Sequence, residues 1–185
     1  MEMKLLKLQN KSYQNEPYIP AEDTFFFADN LKKVSGKNAL EIGTGSGYLA
    51  NVLSPKFSFV VSTDIDFKSL TSQKHKLKNC ICCNGADALL GEFDLIVCNM
   101  PYLPSEKIFD PSIDGGKEGL EMPLKIIISA KKCLKKDGKF LFLTSSLANY
   151  QKLIEKTKML GFNVRIVSRK KLFFEELILV QAKII

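Results

Sequence analysis

Short apolar runs and amphipathic stretches alternate along this chain from about residue 37 onward. The apolar runs are rich in β-branched and aromatic residues and are bounded by glycine, proline, aspartate or asparagine, a pattern typical of buried strands. They predict strands at 38–42, 57–63, 80–83, 93–98 and 139–144. Because strands separated by helical segments pair in parallel, this alternation favours a doubly wound α/β fold.

The stretches between these runs carry helix start and stop signals. Helices are predicted at 24–34, 48–53, 66–78, 118–136 and 150–160, with Asp23 capping the first and Asp66 capping the third. Gly161 ends the last helix, and two further strands follow at 162–167 and 172–181 with a short turn between them. This spacing predicts an antiparallel hairpin.

The length and composition of the chain suit one globular unit. The chain has 185 residues, of which 45% are hydrophobic, so we expect a single domain over 1–185 with an N-terminal extension and helix at 1–36 and the core at 37–185. No apolar run approaches the roughly 18 residues that cross a bilayer, and residues 1–11 lack the apolar stretch of a signal peptide. We therefore expect a cytoplasmic protein without a membrane partner.

Five cysteines, one histidine and a net charge of +7 narrow the candidate chemistry. No pair of C-x-x-C motifs is present, so no metal site is expected, and free cysteines in apolar strands suit a reducing compartment. The positive charge would attract nucleic acid. Much of the lysine, however, lies where helices should end, at 74–78 and 131–136, where it complements helix dipoles. A nucleic-acid partner stays open but is not favoured.

The first predicted strand runs into a glycine loop that contains Gly43, Gly45 and Gly47. A strand, a glycine turn and a helix start in this order let a ligand approach backbone N–H groups closely. The loop also satisfies the dinucleotide fingerprint G-x-G-x-x-A, so a nicotinamide or flavin enzyme is an alternative. Glu41 favours a different ligand, because a carboxylate at the end of the strand attracts a cationic amino acid group and repels pyrophosphate.

Two further carboxylates follow the second and third predicted strands. Asp64 lies about 20 residues beyond the glycine loop, where a carboxylate can accept hydrogen bonds from both ribose hydroxyls of a nucleoside. Asp87 can accept a hydrogen bond from the exocyclic amine of adenine, and a surface helix cap is an equal alternative for this residue.

Asn99, Met100, Pro101 and Tyr102 follow the fourth strand, at the edge where open α/β sheets place their active sites. A methyl group on a sulfonium needs an aligned nitrogen lone pair, but planar amides and aromatic amines delocalise theirs. The Asn99 side-chain oxygen and the Met100 carbonyl can each accept one N–H and hold such a nitrogen. Tyr102 would stack on the planar group, while Pro101 restricts the preceding backbone. A simple turn is the alternative.

The segment Asn99 to Tyr102 resembles the N-P-P-Y motif of amino-methyltransferases, specifically of the HemK-type protein-glutamine methyltransferases. Residues 18–24 look like the Pro-Ala-Glu-Asp-Thr segment of the archaeal and eukaryotic branch of that family, and 114–119 resemble its glycine loop. The resemblance implies a class I S-adenosylmethionine-dependent, Rossmann-like fold of seven mostly parallel strands, the last antiparallel. It also implies methylation of the glutamine in a Gly-Gly-Gln motif of a class I translation termination (release) factor.

The resemblance also assigns roles to the matching positions. It implies that Asn99 to Tyr102 hold the glutamine amide, and that S-adenosylmethionine is contacted by Thr24, Glu41, Gly43, Asp64, Asp87, Ala88 and Asn99. Gly45 and Gly47 complete the predicted cofactor loop. Met100 departs from the motif because it replaces the first proline, although it keeps the backbone carbonyl.

A partner subunit is expected at the segment Cys80 to Cys83. The helical N-terminal domain of the bacterial branch has no counterpart here, which favours the branch whose members pair with a small zinc-binding activator subunit. The apolar segment 80–83 should form an edge strand, which would be exposed unless another chain, a neighbouring loop or the segment 3–8 covers it. We therefore expect the activator to pair there.

Three other functions fit part of the pattern. Methylation of an exocyclic amine of adenine or guanine in RNA or DNA uses the same flat N–H pair, but no base-stacking series is evident on a basic face. A nicotinamide oxidoreductase would need a proton relay, and the single histidine, His75, lies in a lysine-rich segment. A catalytically inactive partner subunit would bind the cofactor without transferring a methyl group.

Overall fold

The computed structural model of the protein describes residues 19–73 and 77–185. The strands are β1 (Gly36–Ile42), β2 (Phe57–Asp64), β3 (Cys80–Cys82), β4 (Phe93–Asn99), β5 (Leu103–Pro104), β6 (Asp114–Gly116), β7 (Leu134–Ser145), β8 (Phe162–Lys171) and β9 (Glu176–Ile184). The helices are α1 (Glu22–Asn30), α2 (Tyr48–Leu53), α3 (Phe67–Thr71), α4 (Glu121–Lys131) and α5 (Tyr150–Met159), and Lys117–Gly119 forms a 3₁₀ turn.

Seven of these strands form one twisted sheet in the order β3-β2-β1-β4-β7-β9-β8. The strands from β3 to β7 pair in parallel, whereas β9 is antiparallel to both β7 and β8. The predicted doubly wound sheet with its antiparallel last strand is therefore confirmed, and so is the edge position of Cys80–Cys82.

Both faces of the sheet are covered by apolar packing. Leu95, Val97 and Leu141 lie in one hydrophobic cluster with α1 and α2, whereas their neighbours Ile96, Cys98 and Phe142 lie in a second cluster with α4 and α5. Alternate residues of a strand point to opposite faces, so central strands buried on both sides must be apolar at every position. This explains the continuous apolar runs at 95–98 of β4 and 140–143 of β7.

The first helix corrects one prediction. It spans Glu22–Asn30, and its N-cap residue is Ala21, which makes no side-chain cap hydrogen bond. The prediction that Asp23 caps this helix was therefore wrong, because the Asp23 carboxylate instead accepts a hydrogen bond from the side chain of Asn99 at 3.0 Å.

The third helix was predicted too long. Asp66 caps it as expected, since its side chain accepts hydrogen bonds from the backbone N–H groups of Lys68 and Ser69, but the helix ends at Thr71. Residues 74–76, which include His75, lie outside the described residues, as does the segment 3–8.

The fourth helix and the strand after it also differ from the prediction. The helix ends at Lys131 rather than 136, because Leu134 already pairs with Phe93 at the start of β7. The pairing then shifts register before Lys139, and the expected turn at Asp137 and Gly138 lies in this irregular stretch. The final hairpin is confirmed, although its turn lies four residues later than predicted, between Lys171 and Glu176.

Among the helices that the structure describes, none is long and apolar enough to span a membrane.

Candidate active site

The predicted functional residues gather where β2, β1 and β4 end. Ile42 at the end of β1 pairs with Thr63 of β2 on one side and with Cys98 of β4 on the other. Connections leave this edge in opposite directions on the two sides of β1, which opens a crevice above the carboxyl ends of the strands. Glu41, Asp64 and Asn99 therefore converge on one place.

The glycine loop needs its glycines for backbone conformation. Gly43, Gly45 and Gly47 have φ angles of 69°, 48° and 79°, a region that residues with a Cβ atom rarely adopt. A Cβ atom placed on Gly43 would meet nothing within 4 Å. The loop is thus held in a tight turn whose Gly43 side is open to a ligand.

Glu41 lies beneath this loop. Its Oε2 atom accepts hydrogen bonds from the Thr44 hydroxyl at 2.6 Å and from the Ala50 N–H at 2.9 Å. The side chain is buried, and this burial raises the pKa of Glu41 to about 8. The carboxyl group ties the glycine loop to α2 and carries a proton near neutral pH unless a cation approaches it.

Asp64 holds the loop from the side of β2. Its Oδ2 atom accepts a hydrogen bond from the Gly45 N–H at 2.8 Å, and its Oδ1 atom accepts one from the Asp66 N–H at 2.9 Å. Partial burial raises the pKa of Asp64. Each carboxylate oxygen has two lone pairs, so the group can also accept ribose hydroxyls.

Asp87 and Ala88 lie further along the same edge, in the turn after β3. The Thr63 hydroxyl donates a hydrogen bond to the Gly85 carbonyl at 2.7 Å, which attaches this turn to β2. Asp87 accepts a hydrogen bond from the Ser129 hydroxyl at 2.8 Å and lies in a turn, not at the start of a helix, so the alternative that it caps a helix is wrong.

Gln73 contacts the glycine loop, which was not predicted from the sequence. Its side-chain N–H donates to the Gly45 carbonyl at 2.9 Å, and its Oε1 atom is buried without a hydrogen-bond partner among the described residues. The sequence offered no signal for this contact, because the residue fell inside the predicted helix 66–78. Once that helix ends at Thr71, the chain can bring Gln73 to the loop.

The side-chain amide of Asn99 has its two ends in different environments. The Nδ2 group donates to Asp23 Oδ2 at 3.0 Å, whereas Oδ1 is buried and has no hydrogen-bond partner in the described part of the chain. A buried acceptor without a partner costs about 1–3 kcal/mol, and such atoms are common where a ligand completes the pairing. The hydrogen bond to Asp23 thus fixes the orientation of the Asn99 amide and leaves its oxygen able to accept an N–H group. Thr24 is buried next to Asp23 and brings the N-terminal helix into the site.

The segment Met100 to Tyr102 is clasped by the glycine loop at 114–119. A Cβ atom on Gly119 would lie 2.3 Å from the Tyr102 carbonyl oxygen, and one on Gly115 would lie 2.8 Å from that of Pro101. The Leu103 N–H donates to the Ile113 carbonyl at 2.9 Å. Backbone packs directly on backbone, so these glycines fix the position of the motif.

Residues 22–174 match the family model described as methyltransferase small domain. The chain belongs to this family. Among described residues, no group of three or more histidine, cysteine, aspartate or glutamate side chains is placed to hold a metal ion. As a member of the methyltransferase small domain family, it is an S-adenosylmethionine-dependent methyltransferase.

Known proteins similar to this methyltransferase small domain protein include a curated relative of similar length and solved structures of the same fold. A Methanocaldococcus jannaschii protein named as a putative protein N5-glutamine methyltransferase is 38% identical over 180 residues, which cover 90% of this chain and 91% of the relative. The E. cuniculi Mtq2 structure, solved in the Mtq2-Trm112 complex responsible for methylation of the eRF1 termination factor, has a TM-score of 0.79 at 23% identity and covers 93% of this chain and 100% of its own. The T. thermophilus 16S rRNA N2 G1207 methyltransferase, solved with AdoMet and guanosine, has a TM-score of 0.66 at 18% identity over 91% of this chain and 44% of its own.

The site geometry fits this cofactor. Space is open at Gly43, the loop exposes backbone groups, and Gln73 Oε1 and Asn99 Oδ1 are buried acceptors without partners among the described residues. When bound, S-adenosylmethionine supplies a methyl group on a sulfonium. Because the cofactor supplies the reactive group, the protein has two tasks, to bind the cofactor and to orient the nucleophile.

Proposed function

We propose that this enzyme methylates the side-chain nitrogen (N5) of a glutamine, in the Gly-Gly-Gln motif of a class I translation termination factor. The observation that carries the proposal is the fixed amide of Asn99, with Nδ2 bound to Asp23 and the buried Oδ1 left for an N–H donor. A glutamine amide offers two N–H groups in one plane. Asn99 Oδ1 and the Met100 carbonyl can accept one each.

The chain's contribution to the reaction is orientation. Two acceptors in the amide plane draw electron density toward the nitrogen and keep its lone-pair direction perpendicular to that plane. S-adenosylmethionine, held at the glycine loop and Asp64, would supply the methyl group to the nitrogen, and its sulfur would leave as the neutral thioether of S-adenosylhomocysteine. The nitrogen would lose one proton to solvent water. The clasp of Gly115 and Gly119 on the motif keeps these acceptors from moving during the step.

The relatives support this substrate. The M. jannaschii relative carries the name of a protein N5-glutamine methyltransferase, and the E. cuniculi complex acts on a termination factor.

A small activator subunit, which we expect to bind zinc, is the partner we propose for β3. The two edges of the sheet differ in charge: β8 carries Arg165, Arg169 and two lysines, whereas β3 consists of Cys80, Ile81 and Cys82. Charged side chains protect a free edge from pairing with other chains, and an uncharged edge lacks this protection. An added strand from the partner would complete β3, as strand addition does in other complexes.

We also propose that the enzyme acts in the cytoplasm. All five cysteines are free thiols, two of them buried, which suits a reducing compartment.

The test is methyl transfer to two kinds of substrate. The chain, co-expressed with a Trm112 homologue from the same genome, is incubated with labelled S-adenosylmethionine and either termination factor or total RNA. We expect label on the factor, and mass spectrometry should place one methyl group on the glutamine of Gly-Gly-Gln. A factor in which this glutamine is alanine is the matched control. Label on RNA alone would assign the site to an exocyclic base amine and refute the proposal.

A further inference from the structure

The turn between β8 and β9 projects from the same edge of the sheet as the active site. It comprises residues 172–175 and is closed by a hydrogen bond from the Leu172 N–H to the Glu175 carbonyl at 2.8 Å. Two further hydrogen bonds attach its base to the loop after β7, from the Ser146 N–H to the Glu176 carbonyl at 2.9 Å and from the Glu176 N–H to the Ser146 hydroxyl at 2.8 Å. The base of the turn is therefore firmly held.

Two large apolar rings stand at its tip. Phe173 is 92% exposed and Phe174 is 59% exposed, and their ring centroids are 4.6 Å apart in an edge-to-face arrangement. The preceding Leu172, in contrast, packs against the hydrophobic cluster that contains α1. The hydrogen bonds at its base and the packing of Leu172 hold the turn, and folding alone gives no reason for the two phenylalanines.

Positive charge precedes the rings. Arg169, Lys170 and Lys171 lead into the turn. Arg169 pairs with Glu176 at 2.6 Å. The hydrogen bond and charge of Lys32 lower the pKa of Asp29 on α1, and the charge of Lys170 adds a smaller lowering. Protection of the sheet edge accounts for cations on β8, but it does not account for exposed phenylalanines at its end, since these promote contact with other molecules. An aromatic centre with charge beside it is the composition of a protein-binding surface.

The distance to the active site suits a large substrate. Asn99 pairs with Leu143, and Leu143 pairs with Leu179 of β9, so two strand spacings, about 10 Å, separate Asn99 from β9. Glu176 lies three residues before Leu179, about 10 Å further toward the carboxyl edge. The base of the turn is then about 15 Å from Asn99. One glutamine side chain cannot reach both places, but a folded protein presenting that glutamine can.

We propose that Lys170 to Phe174, the docking turn, binds the protein substrate at an apolar patch bordered by acidic residues, outside the site that holds the glutamine. This inference rests on the proposed function, because it assumes that the substrate is a protein. The docking turn would raise affinity for the intact substrate while leaving the orientation of the amide to Asn99.

The experiment compares an intact termination factor with a short Gly-Gly-Gln peptide as substrates of the same enzyme. In the double variant Phe173→Ser/Phe174→Ser we expect the KM for the intact factor to rise about tenfold or more, with kcat unchanged, as for the loss of an aromatic contact. Both constants for the peptide should stay as in the unmodified chain, which also shows that the variant is folded. The control is Met159→Ser, since Met159 is 85% exposed at the end of α5, away from this edge.

The charge is tested separately with Lys171→Glu. We expect the KM for the intact factor to rise at low ionic strength and to approach that of the unmodified chain at high ionic strength, because salt screens exposed charges. If the double variant and the unmodified chain had equal KM values for the intact factor, the proposal would be overturned. If the double variant lost binding to RNA while this KM stayed unchanged, the turn would bind RNA and not the protein substrate, and the proposal would again be overturned. If the unmodified chain methylates neither factor nor peptide, the proposed function itself fails and the docking turn fails with it.

Discussion

At the scale of single residues, the proposed function depends on which polar atom of the Asn99 side chain has no hydrogen-bond partner among the described residues. Asn99 was predicted from its place after an apolar strand, and Asp64 from its distance to the glycine loop, because strand ends in parallel sheets face the ligand. The contacts of Asp23 and Gln73 could not be predicted in this way. Asp23 lies 76 positions from Asn99 along the chain, and neither residue has a local pattern that marks the pair.

Asn99→Ala removes the acceptor that we assign to the substrate amide. Turnover should fall by about a hundredfold or more, as for other single positioned polar groups, while cofactor affinity should change much less. Single-turnover methyl transfer measures the first quantity and calorimetry the second. Near-normal turnover would falsify the assignment of Asn99 to the amide.

Asp64→Ala removes the carboxylate that we assign to the ribose. Two buried hydrogen bonds to a charged acceptor contribute on the order of 2 to 4 kcal/mol, so the dissociation constant for S-adenosylmethionine should rise by a factor of about 30 or more. Titration calorimetry measures this constant. Asp66→Ala is the matched control, because Asp66 caps α3; if it weakened binding while Asp64→Ala did not, the ribose contact would belong to Asp66.

Glu41 should make the stability of the ligand-free chain depend on pH. Burial raises its pKa from 4.5 to about 8, so between these values the unfolded chain releases a proton that the folded chain keeps. The stabilisation is complete below the unfolded pKa and is lost as pH rises through the folded one. We therefore expect the melting temperature of the chain to fall between pH 5 and pH 8.

Glu41→Gln isolates this contribution. The variant keeps an acceptor for Thr44 and Ala50 but has no proton to lose, so its melting temperature should fall less than that of the unmodified chain, by about 5 °C or more over the same range. Asp64, whose pKa burial also raises, is present in both proteins and does not enter the difference. If the melting temperatures of the two proteins fell by the same amount over this pH range, the role given to Glu41 would be contradicted.

At the scale of elements, α1 contributes to the candidate active site as well as to the hydrophobic core. Its buried face includes Phe26 and Phe27, and its first turn carries the Asp23 that binds Asn99. Helix α1 thereby joins the amino-terminal part of the chain to the end of β4.

Asp23→Ala should release the Asn99 amide without removing it. We expect kcat to fall about tenfold, since the amide can then rotate and present its N–H group where the acceptor is needed. The KM for S-adenosylmethionine should change little. Asp29→Ala, in the same helix but exposed, is the control and should leave kcat unchanged. Steady-state kinetics for both variants decide the matter; equal kcat values would remove Asp23 from the mechanism.

The elements that sequence reasoning placed well are those with strong local signals. Runs of apolar residues predicted the ends of β1, β2 and β4 to within two residues, and Gly161 marked the end of α5. The element boundaries that the sequence did not predict depend on contacts between residues far apart in the chain. Leu134 joins a strand because Phe93 is there to pair with it, and the 3₁₀ turn around Glu118 forms against the backbone of Tyr102. Periodicity within a segment carries no information about either contact.

At the scale of the whole molecule, the two edges of the sheet are not equivalent. The edge at β8 is basic, whereas β3 carries no charged side chain, the difference on which the proposed partner site rests.

Cys82→Lys places a charge on the available edge. Cys82 is the exposed residue of β3, so the substitution should leave the fold intact while it prevents an added strand. We expect the variant to lose co-elution with the Trm112 homologue in size-exclusion chromatography. Ile166→Lys adds the same charge to β8 and should still co-elute. If both variants kept the partner, it would have to bind elsewhere than β3.

The position of β9 has a consequence for how the chain is made. This strand is inserted between β7 and β8, although it follows both of them in the sequence. During synthesis, β7 therefore displays an open apolar edge, and β8 has no neighbour in the sheet, until residues 176–184 have left the ribosome. The nascent chain passes through a stage in which β1 to β8 are present but the sheet cannot close. At this stage it depends on chaperones or on rapid completion to avoid aggregation.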